Sequence, residues 1–191
     1  GQTLEAYLDT DKVSVNNFGK SGTSTSTFES MGLFDNVLYA GRSGDYVTIQ
    51  FAHNDQGQNI SLDTYKANLK SFVTRAKAKG LNPIFITSPV RNPHASVATL
   101  GEYPTAMKAV ATETGTPVVD LNTWSNETFG ALTESQAALV YMHIKANDTR
   151  YFKKLDNGEY VDNYSDSQYN KSTATTDDTH FTVYGAHLLS K

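Results

Sequence analysis

Short runs of β-branched and aromatic residues alternate along this chain with longer stretches whose apolar positions recur every three or four residues. Tyr46-Val47-Thr48-Ile49-Gln50-Phe51-Ala52 reads as a strand that stops at the polar cluster His53-Asn54-Asp55-Gln56-Gly57. Ser61 then caps a helix predicted over Leu62 to Lys79, with Leu62, Tyr65, Leu69, Phe72 and Val73 on one face and Gly80 as its stop. Pro83 to Thr87 predicts a buried strand, Tyr103 to Thr114 a helix, Pro117 to Leu121 the last strand, and Thr133 to Ile144 a further helix. Val13 to Asn17 predicts a short strand running into Gly19 to Thr27, whose Ser/Thr residues can cap a following helix. This alternation is that of βαβ units and predicts an α/β fold with a parallel sheet, without internal repeats.

Composition narrows the partners. The 191 residues are 38% apolar and 11% aromatic, enough for one core and one domain spanning 1–191. Sixteen basic against twenty acidic residues leave a net charge of −4, with no Lys/Arg block, which argues against nucleic acid and anionic membrane. No apolar run approaches the roughly 20 residues of a membrane-spanning helix, which points to a soluble mature region. Cysteine is absent and leaves the redox compartment open. Asn-x-Ser/Thr occurs at Asn59, Asn126, Asn147, Asn163 and Asn170, where about three are expected by chance, and this slight excess favours a secreted, glycosylated protein.

Candidate chemistry collects at strand ends and at the C-terminus. Asp177-Asp178-Thr179-His180 places a carboxylate three positions before a histidine, ahead of a helix opened by Val183-Tyr184-Gly185-Ala186. A serine hydrolase needs an imidazole whose far nitrogen takes a proton from a hydroxyl while a carboxylate holds the near one. The same tetrad also suits a capped turn. Asn54 and the glycine-rich loop around Gly22 lie beyond predicted strands, where open α/β sheets bind ligands, although capping accounts for Asn54 and turn geometry for Gly22. Arg91 and Asp120 follow strands and suit either substrate contact or capping. His53 is read as a structural hydrogen-bonder that can line a pocket, and no histidine has a partner at metal-ligand spacing, so no metal is expected. Lys145 to Thr176 is polar and tyrosine-rich, with Tyr151, Tyr160, Tyr164 and Tyr169. It reads either as a lid whose aromatics suit sugar rings, Tyr164 and Tyr169 contacting substrate, or as an ordered surface excursion.

Taken together, three blocks resemble the SGNH (GDSL-like) hydrolase superfamily and, within it, the rhamnogalacturonan acetylesterase group, along nearly the whole chain. Asn17 with Ser21-Gly22-Thr23-Ser24 and Phe28 resembles the glycine block. Phe51-Ala52-His53-Asn54-Asp55 resembles the Gly-His-Asn-Asp block, with Ala52 in the place of the glycine, and Asp177 to Phe181 with Gly185-Ala186 resembles the terminal block. The resemblance implies a three-layer α/β/α flavodoxin-like sandwich. It further implies His180 as general base oriented by Asp177, Gly22 and Asn54 as oxyanion donors, Asp178 and Thr179 as spacers, and no cofactor. The implied reaction removes O-acetyl groups from a plant cell-wall polysaccharide, pectic rhamnogalacturonan or similar. The alternative is a catalytically silent carbohydrate-binding module of the same fold.

The family's nucleophile belongs to a Gly-Asp-Ser segment after a central first strand, and no such segment occurs in residues 1–191. Ser21 and Ser43 do not fit its place. The domain is accordingly expected to be incomplete at its N-terminus and at its C-terminus, with the central strand and serine supplied by an N-terminal segment outside these residues.

Overall fold

The computed structural model describes residues 8–142 and 177–190, and the chain divides into two compact units. The first comprises residues 16–89 and 99–124. Its centre is a parallel sheet of three strands, β1 (Tyr46–Ile49), β2 (Asn82–Ile86) and β3 (Val118–Val119), in that order. Tyr46 pairs with Asn82 and Ile49 with Phe85, while Phe85 and Ile86 pair with Val118 and Val119. Helices precede β1 and link the strands: α1 (Thr25–Ser30), α2 (Leu33–Ala40), α3 (His53–Gly57), α4 (Leu62–Ala78) and α5 (Tyr103–Thr114).

Local chemistry explains these elements. The Ser61 hydroxyl accepts from Thr64 N at 3.1 Å to start α4, and Tyr65, Leu69, Phe72, Val73 and Ala76 recur on its buried face. Pro104 lies in the first turn of α5, where its missing N–H leaves no bond unmade. These faces meet Phe28, Phe34, Ile49, Phe85, Met107 and Val110 in one core. Within it Phe34 stacks on Phe72 at 4.4 Å between ring centroids, and Phe28 meets Phe51 edge-on at 5.4 Å. Phe51 therefore anchors the chain just beyond β1, and Tyr65 Oη donates to its carbonyl at 2.8 Å. The chain that carries Asn54 leaves the sheet from a packed, hydrogen-bonded point.

The second unit comprises residues 90–98 and the described residues from 125 onward, together with residues 8–15. The helix α6 (Leu121–Phe129) carries the chain into it, and α7 (Glu134–Val140) and α8 (Val183–Leu189) follow. Phe129, Ala137, Val140 and Tyr141 form its core, packed against Phe181, Tyr184 and Leu188. Tyr141 and Phe181 form an antiparallel bridge that ties the end of α7 to the segment before α8.

Three expectations change. Residues 13–17 form no strand: Val13 is 47% exposed and its N–H turns back to Asp9 O at 2.9 Å, because two valines among polar neighbours find no partner strand or covering layer. The last strand shrinks to two residues, since Asp120 accepts from Thr123 N and Thr123 Oγ1 and so starts α6 one residue later. The helix expected over Thr133 to Ile144 ends at Val140, where Tyr141 turns to extended backbone to pair with Phe181; its start, a capping box between Thr133 and Gln136, agrees. Helices α2 and α3 had no counterpart in the hydrophobic pattern. The stretch read as a lid, with Tyr164 and Tyr169, lies outside the described residues.

Candidate active site

The glycine loop of the first unit is fastened to α3 by amide side chains one turn apart. Asn54 Nδ2 donates to Thr23 O at 3.1 Å, and Gln58 Nε2 donates to Gly22 O at 2.9 Å. Ser24 Oγ in turn donates to Gln58 Oε1 at 2.7 Å while forming a capping box with Thr27 at the start of α1. Gly22 has φ +78°, a left-handed conformation that suits glycine, and it is exposed. Its N–H meets no acceptor among the described residues. Asn54 has two amide hydrogens, and only one is committed to Thr23. Glycine block and asparagine block are thus brought together as expected, with donors left to offer. Ala52 is buried at the N-cap of α3, and Asn54 keeps its place beside the loop.

Asp55 closes the Gly-His-Asn-Asp-like block, but the motif gave it no role. It is fully buried, and its Oδ1 accepts from Thr25 N at 2.9 Å and Thr25 Oγ1 at 2.6 Å. Its Oδ2 has no partner among the described residues. Burial pushes its carboxyl above the usual range against the opposing pull of the Thr25 bonds. Asn68 Nδ2 reaches Thr25 Oγ1 and Ser26 Oγ from α4, so α3 and α4 both converge on the start of α1. His53 opens α3 and is partly buried.

In the second unit the dyad is formed. His180 Nδ1 lies 2.7 Å from Asp177 Oδ2, and Asp177 Oδ1 accepts from Thr179 N and His180 N, each at 2.9 Å. The carboxylate can only accept, so the imidazole presents its hydrogen at Nδ1 and a lone pair at Nε2. The His180 side chain is 67% exposed, against 37% for Asp177, which leaves the imidazole accessible. Burial raises the Asp177 carboxyl, but the His180 and Thr179 N–H groups and the imidazole outweigh it and hold it below its ordinary value.

Asp178 is not the spacer the motif implied. Asn92 Nδ2 donates to Asp178 Oδ1 at 2.7 Å, and Asn92 N donates to Asp178 O at 2.8 Å. Arg91, beside it, is partly buried, and burial lowers its guanidinium below the usual range. His94 Nε2 lies 2.9 Å from Leu132 O, a structural role. Asp120 accepts from Thr87, Lys108 and Thr123, which together outweigh burial and hold it at about 2, so capping and ion pairing account for it. Among the described residues no three His, Asp or Glu side chains converge as a metal site, and no helix is long and apolar enough to cross a membrane.

The chain is 31% identical over 190 residues to the rhamnogalacturonan acetylesterase RhgT of Bacillus subtilis, covering 96% of this chain and 74% of that protein. It is 29% identical to the probable rhamnogalacturonan acetylesterase YesY of the same organism, covering 81% and 75%. The crystal structure of Bacillus subtilis YxiM superposes with a TM-score of 0.71 at 22% identity over 99% of this chain and 46% of that one. The acetylxylan esterase Axe2 of Geobacillus stearothermophilus gives 0.51 at 25% identity over 62% and 58%. The chain thus spans less than two thirds of either solved structure, and these likenesses show the α/β fold of SGNH-type esterases. The model of the GDSL-like lipase/acylhydrolase family matches residues 1–188, and the chain belongs to that family.

Proposed function

We propose that this chain is a serine-type carboxylic ester hydrolase that removes O-acetyl groups from a plant cell-wall polysaccharide, pectic rhamnogalacturonan or a similar backbone. The observation that carries the proposal is the 2.7 Å contact between His180 Nδ1 and Asp177 Oδ2, with no partner on Nε2 among the described residues. The names of RhgT and YesY support the substrate class. A serine hydroxyl attacks the acetyl carbonyl while His180 Nε2 takes its proton and Asp177 stabilises the imidazolium. Gly22 N–H and the Asn54 amide donate hydrogen bonds to the developing oxyanion, and His180 then returns the proton to the leaving sugar oxygen. Water repeats the sequence on the acetyl-enzyme, and the chemistry requires no cofactor.

The serine comes, in this reading, from a Gly-Asp-Ser segment outside residues 1–191 that also adds a strand to the sheet. The edge position of β1 supports this: its far side is unpaired among the described residues, and Tyr46 is 73% exposed. The protein acts outside the cell. Exposed Asn59 and Asn126, two of the sequon asparagines, suit that location.

The test is turnover of p-nitrophenyl acetate and of acetylated pectin and xylan by the natural full-length protein. Loss of turnover in His180→Ala is the expected result. Sugar binding without turnover in the parent refutes the esterase and leaves the binding module.

A further inference from the structure

The loop 90–98 of the second unit is bound at several points. Val90 N donates to Ser125 Oγ at 3.0 Å, Tyr141 Oη donates to Val90 O at 3.0 Å, and His94 bonds Leu132 O. Asn92 is 3% exposed, and its Oδ1 accepts from His94 N at 3.0 Å, so its amide plane is set by the loop itself. From that fixed position it bonds both the backbone and the carboxylate of Asp178. On the other side of the dyad, Met142 N donates to His180 O at 3.0 Å and Thr182 N to Val140 O at 2.9 Å. The four-residue turn Asp177–His180 is therefore pinned at Asp178 and at His180.

We propose that Asn92 is a positioning residue for the proton-transfer pair, acting through Asp178 to hold the Asp177 carboxylate on His180 Nδ1. The inference rests on reading His180 as the general base. The physical reason is that a histidine two-thirds exposed to water has little packing to orient it, so the carboxylate must do so, and a carboxylate on a turn is only as well placed as the turn. Asn92 meets neither His180 nor Asp177 directly in the bonds described, which separates it from the catalytic groups.

Two readouts test this on the full-length protein. In steady-state kinetics on p-nitrophenyl acetate, Asn92→Ala is expected to lower kcat at least about tenfold with KM within about twofold. In 15N NMR of labelled histidine, the neutral His180 ring of the parent is expected in the Nδ1–H tautomer, and Asn92→Ala to shift it toward Nε2–H. General weakening of the fold does not produce that tautomer change in molecules that remain folded. Because single variants can fail to fold, the exchange Asn92→Asp with Asp178→Asn is made as well; it swaps donor and acceptor across the same bond and is expected to restore both readouts toward parental values. Parental kcat and tautomer in Asn92→Ala, or a folded exchange variant that restores neither, overturns the proposal. A parent without turnover refutes the esterase reading, and the tautomer measurement then decides the role of Asn92 alone.

Discussion

Asp55, on α3, caps the start of α1: its Oδ1 takes both the backbone N–H and the hydroxyl of Thr25 in a fully buried setting. The carboxylate thereby fixes the helix that follows the glycine loop to the strand end that carries Asn54. Truncation to alanine strands two buried donors and is expected to cost about 2–3 kcal/mol in urea unfolding.

The same residue predicts a pH effect of defined sign. Its folded carboxyl holds its proton more tightly than in the unfolded chain, so its contribution to stability is complete below the unfolded pKa and is lost as pH rises through the raised folded value. Asp55→Asn keeps the acceptor and removes this dependence. Its stability relative to the parent is expected to be poorest in acid and to improve as pH rises, as read from urea unfolding across that range.

Asp177 predicts the opposite trend. Its folded carboxyl is depressed, so the stability it adds is present above the unfolded value of about 3.9 and is lost as pH falls through the lower folded value. The parent is expected to exceed Asp177→Asn in thermal stability near neutrality, and the two to converge in strong acid. At neutral pH the same variant is expected to lose activity by about 10⁴-fold.

Under the proposed mechanism, in which the amide hydrogen not committed to Thr23 donates to the oxyanion, Asn54→Ala is expected to reduce kcat by about 10²–10³-fold with little change in KM. Gln58→Ala is expected to lose about tenfold or less, since Gln58 braces the loop through the Gly22 carbonyl and the Ser24 hydroxyl rather than meeting the oxyanion. Equal losses in the two variants contradict the assigned roles.

Gly185 packs where no side chain fits: a Cβ there meets the Val140 carbonyl oxygen at 2.2 Å. Thr182 Oγ1 caps α8 by accepting from Gly185 N at 3.0 Å and donates to Leu139 O, so α8 cannot back away without losing its start. Gly185→Ala is expected to lower stability by about 3 kcal/mol, measured by thermal unfolding.

The hydrophobic pattern revealed α4, α5, β1 and most of β2, because each has an apolar face of regular period bounded by a cap, a glycine or a polar cluster. It revealed the dyad and the glycine and asparagine blocks because their spacing is local. Asp55, Gln58 and Asn92 stayed hidden for the opposite reason: Asp55 meets Thr25 and Asn92 meets Asp178 across long stretches of sequence, and no period or motif announces a bond between distant polar residues. Valines 13 and 15 misled because β-branched composition describes a preference that only a neighbouring strand can satisfy.

The hydrogen bond from Met142 N to His180 O sets the two flanks of residues 143–176 side by side in the fold. Closing a stretch between ends already fastened together becomes only slowly harder as it lengthens. A change in the number of residues between Met142 and Asp177 is therefore expected to cost little closure entropy and to leave the contact between Asp177 and His180 in place.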